Sequence, residues 1–128
     1  HCLKADVSVV KHDYIPKTRR KFCGNIQKVY PKKNWSSLMV FSNYTRACWN
    51  LKPEIINTAT GKYLHQFEWA EDVGELPPEW NHLVGEYEPN PDAKIVHFTL
   101  GTPCFAGYED QEFADEWFAE RDRMLAHD

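Results

Sequence analysis

The chain has 128 residues, 42% of them hydrophobic and 14% aromatic, with five tryptophans and a formal net charge of −4. That composition excludes a disordered chain, and the length suits one domain with a core of its own. No apolar run approaches the ~18 residues that a membrane span requires, and no basic-then-apolar leader opens the chain.

The charge is unevenly placed. Residues 1–33 hold nine basic and two acidic side chains, whereas residues 66–128 hold three basic and sixteen acidic. The basic block (Lys11, Lys17, Arg19, Arg20, Lys21, Lys28, Lys32, Lys33) either meets phosphates or pairs with the acidic half. Four cysteines, Cys2, Cys23, Cys48 and Cys104, form no CxxC and no metal-ligand spacing. They read as reduced, semi-buried thiols of a cytoplasmic protein. The six histidines form no HExxH, and a zinc site of sequence-local ligands is excluded.

In chain order, "ADVSVV" (5–10) predicts a buried strand, ended by "KHDYIPK". Residues 20–30 fit a short strand or a helical turn equally. "NWSSLMVFSN" (34–43) predicts a second core strand. "KPEIINTATG" (52–61) predicts a short helix, with Pro53 in its first turn and Gly61 at its end or in the loop beyond. Residues 65–93, rich in Pro, Gly and aromatics, predict turns and short strands packed by Trp69 and Trp80. "KIVHFTL" (94–100) predicts a third strand. Phe113, Trp117, Phe118 and Leu125, at helical spacing among acids, predict an amphipathic helix laid on a sheet. The sum is a single α/β domain over 1–128, a mixed β-sheet with flanking helices.

Several residues suit chemistry. "KHDY" offers Lys11 and Asp13 at a strand's end, where α/β sheets bind ligands; Asp13 orients a sugar hydroxyl or caps a turn. Asn34, Ser36 and Ser37 line a pocket or cap a strand. Trp80 stacks on a sugar or packs in the core, with Asn81 beside it. Glu68, Glu71 and Asp72 serve as acid or base, or are solvated loop acids. His97 is a hydrogen-bonded structural residue or a metal ligand, and Gly101 lets loop amides approach an anion. No phosphate-binding P-loop, dinucleotide fingerprint or hydrolase nucleophile motif is present.

Taken together, "VVKHDY", "YPKKNWSSLMVFSN", "TATGKYLHQFEW", "GELPPEWNHLVGEY" and "VHFTLGTPCFAGYEDQEFADEW" resemble the C-terminal half of small bacterial glycosyltransferases. These are similar to the glycogenin-like and lipopolysaccharide galactosyltransferase-like enzymes of the GT-A fold. The resemblance implies a partial, truncated GT-A-like fold and retaining sugar transfer from a nucleotide-diphosphate sugar. Mn²⁺ or Mg²⁺ would be held by His97, with Gly101 near the diphosphate and Asn34–Ser37 lining the sugar pocket. The chain has no Asp-x-Asp, and Thr102 and Cys104 stand where that family has Lys and Trp. The expected domain is therefore inactive or incomplete on its own, with an exposed sheet edge that favours a homo-oligomer. Two alternatives follow: a non-catalytic sugar- or nucleotide-binding or oligomerisation module, or a nucleic-acid or anionic-partner binder through the basic block. The acidic second half argues against nucleic acid.

Overall fold

Three short strands built on the "VSVV" run carry the first half of the molecule. β1 (Val7–Val9) is completely buried, as its β-branched, apolar sequence demands. It lies between β2 (Val40–Phe41), antiparallel with Val7 opposite Phe41, and β3 (Val73–Glu75), parallel with Val7 opposite Val73. The computed structural model describes residues 4–126, so Cys2 lies outside the described residues.

By contacts the chain groups into two units. The first takes in the chain up to Tyr14 together with Val29–Trp80; the second joins Ile15–Lys28 to the chain from Asn81 onward. In the first unit, Val7, Val9, Ala47, Phe67 and Trp69 form the core, with Trp35, Leu51, Tyr63 and Val73 packed against it. Phe41 stacks on Trp69 at 5.8 Å.

The buried Asp6 ties this unit together. Its Oδ2 accepts the amides of Glu71 (2.8 Å) and Asp72 (3.0 Å), its own amide donates to the Asp72 carbonyl, and its carbonyl accepts the Ser42 amide. The Asp72 amide foremost holds the Asp6 carboxyl below its ordinary 3.8, against the opposing effect of burial.

Two helices follow β2 in sequence. α1 (Pro53–Thr58) starts at Pro53, whose missing amide costs nothing in a first turn. Gly61, expected at that helix's end or in the loop beyond, instead begins α2 (Gly61–His65). The reason is Thr60, whose hydroxyl accepts the Tyr63 amide at 3.1 Å and caps a new start.

In the second unit, β4 (His82–Leu83) and β5 (Val96–His97) pair in parallel. Leu83, Val84 and Leu100 are buried there, and Phe22 stacks on Phe105 at 4.6 Å. The Phe22 amide donates to the Leu100 carbonyl. Residues 22–24 make a single helical turn, beside an isolated bridge between Arg20 and Ile26. α3 (Ala114–Leu125) ends the described chain, with Trp117 and Phe118 half-buried and Leu125 exposed. No helix among the described residues is long and apolar enough to cross a membrane.

The architecture is a small mixed α/β one, and several elements differ from expectation. The second core strand over 34–43 is instead a helical turn (Trp35–Ser37) and the two-residue β2, whose side chains are exposed. Left-handed backbone at Lys32 (φ 56°) and Asn34 (φ 62°) breaks the extended run. Residues 94–100 yield only the two-residue β5, because β4 offers it only two partners. Trp69 packs in the core as expected, whereas Trp80 is 40% exposed. Cys23 and Cys104 are exposed, and only Cys48 is half-buried.

Two outcomes test this account. Gly74 faces Ser8 across the β1–β3 pair, and a Cβ there would stand 2.6 Å from Ser8 Oγ and 2.8 Å from Ala5 Cβ. Urea denaturation of Gly74→Ala will therefore show a loss of about 1–3 kcal/mol. Asp6→Ala leaves two amides without their acceptor and costs about 1–3 kcal/mol at pH 7. A carboxyl held low stabilises the fold above 3.8, and that contribution is lost as pH falls through the lowered folded value. The wild type will lose stability over that interval, and the Asp6→Ala variant will lack that component.

Candidate functional site

At the carboxyl end of β1 the chain leaves the sheet through Lys11–Tyr14, the position at which parallel strands present ligands. The turn Trp35–Ser37 folds onto this exit. The Trp35 indole N–H donates to the His12 carbonyl at 2.7 Å, and Asn34 Nδ2 donates to the Tyr14 hydroxyl at 2.7 Å. Trp35 then becomes a plate for cations. Lys11 Nζ lies 6.0 Å and Lys32 Nζ 5.7 Å from its ring centre.

Lys32 also lies 5.8 Å from the Phe67 ring centre and donates to the Gln66 carbonyl at 2.7 Å, so its position is fixed. Lys33 stands over Tyr30 at 4.7 Å. The aromatic quadrupole attracts each ammonium, and two positive groups on one ring raise the local potential toward an anion. Asp13 is exposed at the same exit.

The expected site residues separate into two groups. Lys11 lies over Trp35 and Asn34 precedes it in the chain, the Ser37 hydroxyl donates to the Asn34 carbonyl at 2.7 Å, and Asp13 is exposed at the same strand exit. Ser36 turns instead to His65, 2.6 Å from Nδ1. Glu71 and Asp72 have exposed side chains and serve Asp6 through their amides. Glu68 is exposed and pairs with Lys62 at 3.9 Å. Trp80 belongs to this unit, in the turn Pro78–Asn81, whereas Asn81, His97 and Gly101 belong to the other.

The basic block divides in the same way. Lys17, Arg19, Arg20, Lys21 and Lys28 lie in the second unit. There Lys17 pairs with Glu88 at 3.5 Å, and Arg20 donates to the Gly24 carbonyl at 2.8 Å. The nearby buried Glu86 accepts from the Lys17 amide and from Gln27 Nε2, both at 2.9 Å.

Gly101 is a glycine for a packing reason. It is buried, its carbonyl accepts from Gln111 Nε2 at 2.8 Å, and a Cβ would stand 2.9 Å from Phe22 Cβ and 3.2 Å from the Tyr108 ring. His97 is half-buried on β5, and its Nδ1 has no hydrogen-bond partner among the described residues. Desolvation first, and the Lys21 ammonium second, push its pKa below 6.5.

Those surroundings do not fit a divalent cation. Among the described residues no group of three His, Cys, Asp or Glu side chains converges on a metal position. The charge acting on the His97 imidazole is that of a lysine, which repels a cation. Mn²⁺ and Mg²⁺ are held mainly by oxygen ligands, and none gathers around His97 in such a cluster.

Sequence reasoning named Lys32 only within the basic block and singled out neither Trp35 nor His65. The signal for the first two was present in "YPKKNW", a lysine pair set between aromatics. His65 carried none, because its partner Ser36 lies 29 residues away.

His97 gives a direct test. A nuclear magnetic resonance titration will place its pKa below 6.5, and Lys21→Gln will raise it. The neutral imidazole favours the folded state, so His97 contributes stability above 6.5 that is lost as pH falls through the lowered value. The His97→Ala variant will show a shallower loss of stability over that interval.

No family model matches the chain, and no solved structure matches it. A curated plant protein does: the chain is 44% identical over 124 residues to Protein CDI of Arabidopsis thaliana, covering 91% of this chain and 48% of that protein. This overturns the resemblance to a bacterial glycosyltransferase half, which rested on the order of five short segments with altered spacing. The chain is similar to a plant protein, and it spans about half the length of that curated relative.

Proposed function

We propose that the first unit binds a phosphate-bearing small molecule, of the nucleotide-diphosphate-sugar class, without a metal ion, and that the chain acts as a binding module. The supporting observation is that Lys11 and Lys32 both lie over the Trp35 ring, Lys32 also over Phe67. A diphosphate carries the charge that complements two ammonium groups, and each charge-assisted contact is worth about 1.5–3 kcal/mol.

The neighbouring groups suit the rest of such a ligand. Asp13 is an exposed acceptor for sugar hydroxyls. In sugar transfer a divalent cation neutralises the departing diphosphate. Here lysine charges supply that neutralisation in the bound state.

Isothermal titration calorimetry with UDP and UDP-glucose in the presence of EDTA tests the reading. Saturable binding that weakens as salt rises is expected, with Lys11→Ala weakening it about tenfold, the equivalent of ~1.4 kcal/mol. Lys11 is the informative position, because Lys32 also holds the Gln66 carbonyl. Binding that requires Mn²⁺, or that Lys11→Ala leaves unchanged, overturns the reading.

A further inference from the structure

The phosphate site does not use the pair formed by Ser36 and His65. Ser36 Oγ lies 2.6 Å from His65 Nδ1. In the Nε2-protonated tautomer the hydroxyl donates to Nδ1, the arrangement through which an imidazole activates a serine nucleophile. His65 closes α2 and Ser36 sits in the turn Trp35–Ser37, so each is placed by its own element.

Two further observations bear on the pair. The chain reaches Ser36 through left-handed backbone at Lys32 and Asn34, neither of them glycine. Such residues cost about 1–3 kcal/mol each and gather where a turn is held for function. Here the Lys32 bond to Gln66 and the Asn34 bond to Tyr14 hold it. Beside the pair lies a cavity of about 180 Å³, lined otherwise by Met39, Phe41, Leu51, Ile56, Leu64 and Trp69. One hydroxyl–imidazole pair therefore faces a wall of apolar side chains.

We infer that Ser36 and His65 form a nucleophile–base dyad that hydrolyses carboxylic esters of short apolar acids, with the acyl chain in this cavity. Ser36 Oγ bonds to the ester carbonyl carbon while its proton passes to His65 Nδ1. The carbon–oxygen bond to the alcohol then breaks, and the alcohol leaves with that proton. Water attacks the acyl-serine, gives one proton to His65, and the carboxylic acid departs as the proton returns to Ser36 Oγ. The sum is ester plus water giving acid plus alcohol, with no change of oxidation state. The cavity's lining selects the acid: an apolar chain gains by leaving water, and a charged one loses its hydration.

The test uses the whole chain with an alkyl fluorophosphonate and with p-nitrophenyl butyrate. The wild type is expected to be labelled on the Ser36 peptide, located by mass spectrometry, and to release p-nitrophenol. Ser36→Ala will abolish the label, and His65→Gln will slow labelling about 100-fold, the usual scale for loss of a general base. Circular dichroism melting of both variants, expected at the wild-type midpoint because both side chains lie at the surface, separates chemistry from folding. Filling the cavity with Ile56→Trp will lower butyrate turnover and spare the acetate ester. An unlabelled wild type, a label on another residue, or wild-type labelling rates in His65→Gln overturn the inference.

Discussion

The Asp6 carboxylate is the constraint on which the first unit depends. β1 has only three residues and β2 only two, so ladder hydrogen bonds alone are too few to fix their register. Asp6 adds bonds at the point where both neighbours meet β1: two amides of the segment entering β3 on one side, and the Ser42 amide leaving β2 on the other. A slip of one residue would turn Val7 and Val9 out of the core and bring Ser8 and Asp6 around with them. The same residue therefore sets both register and facing. A carboxylate, with two oxygens and a full charge, suits the task better than a neutral acceptor.

Because β1 is fixed, its exit is fixed, and the cation cluster follows. Lys11–Tyr14 leave the sheet in a set direction, and Trp35 locks onto them through the His12 carbonyl. Two lysines are then drawn to the Trp35 ring from different segments, one from the strand's end and one from the turn before Trp35. The arrangement places positive charge on an aromatic support. The second unit buries some of its charged groups. There Glu86 is buried and satisfied by backbone and amide donors, and His82 is buried against Glu112 at 2.8 Å.

Legibility from sequence followed the physical range of each signal. β1 was readable because four β-branched or small residues in a row bury on both faces wherever they are placed. α1 was readable because Pro53 marks its start locally. The run 34–43 misled because its apolar residues Leu38–Phe41 look like a core strand, while the break comes from positive φ at Lys32, which that residue type does not announce, and at Asn34, a residue type that tolerates it. Asp13 and Lys11 follow the end of β1, as the apolar run before them indicates. Gly101 was read for backbone freedom, whereas Phe22, seventy-nine positions earlier, dictates it through contact. The Ser36–His65 pair had no sequence signature at all, since nothing local joins a serine in one turn to a histidine closing a distant helix.

The interleaving of the two units has a consequence for synthesis on the ribosome. Ile15–Lys28 belongs with the chain from Asn81 onward, although it emerges before nearly all of the first unit. Its buried Gln27 must await Glu86, and Phe22 must await Leu100, before either finds its partner. β1 likewise waits for β3, more than sixty residues behind it. Neither unit can be completed until most of the chain has left the exit tunnel, and contacts so distant in sequence close slowly. A nascent chain of this kind leaves the Phe22 ring without Phe105 for seconds during elongation.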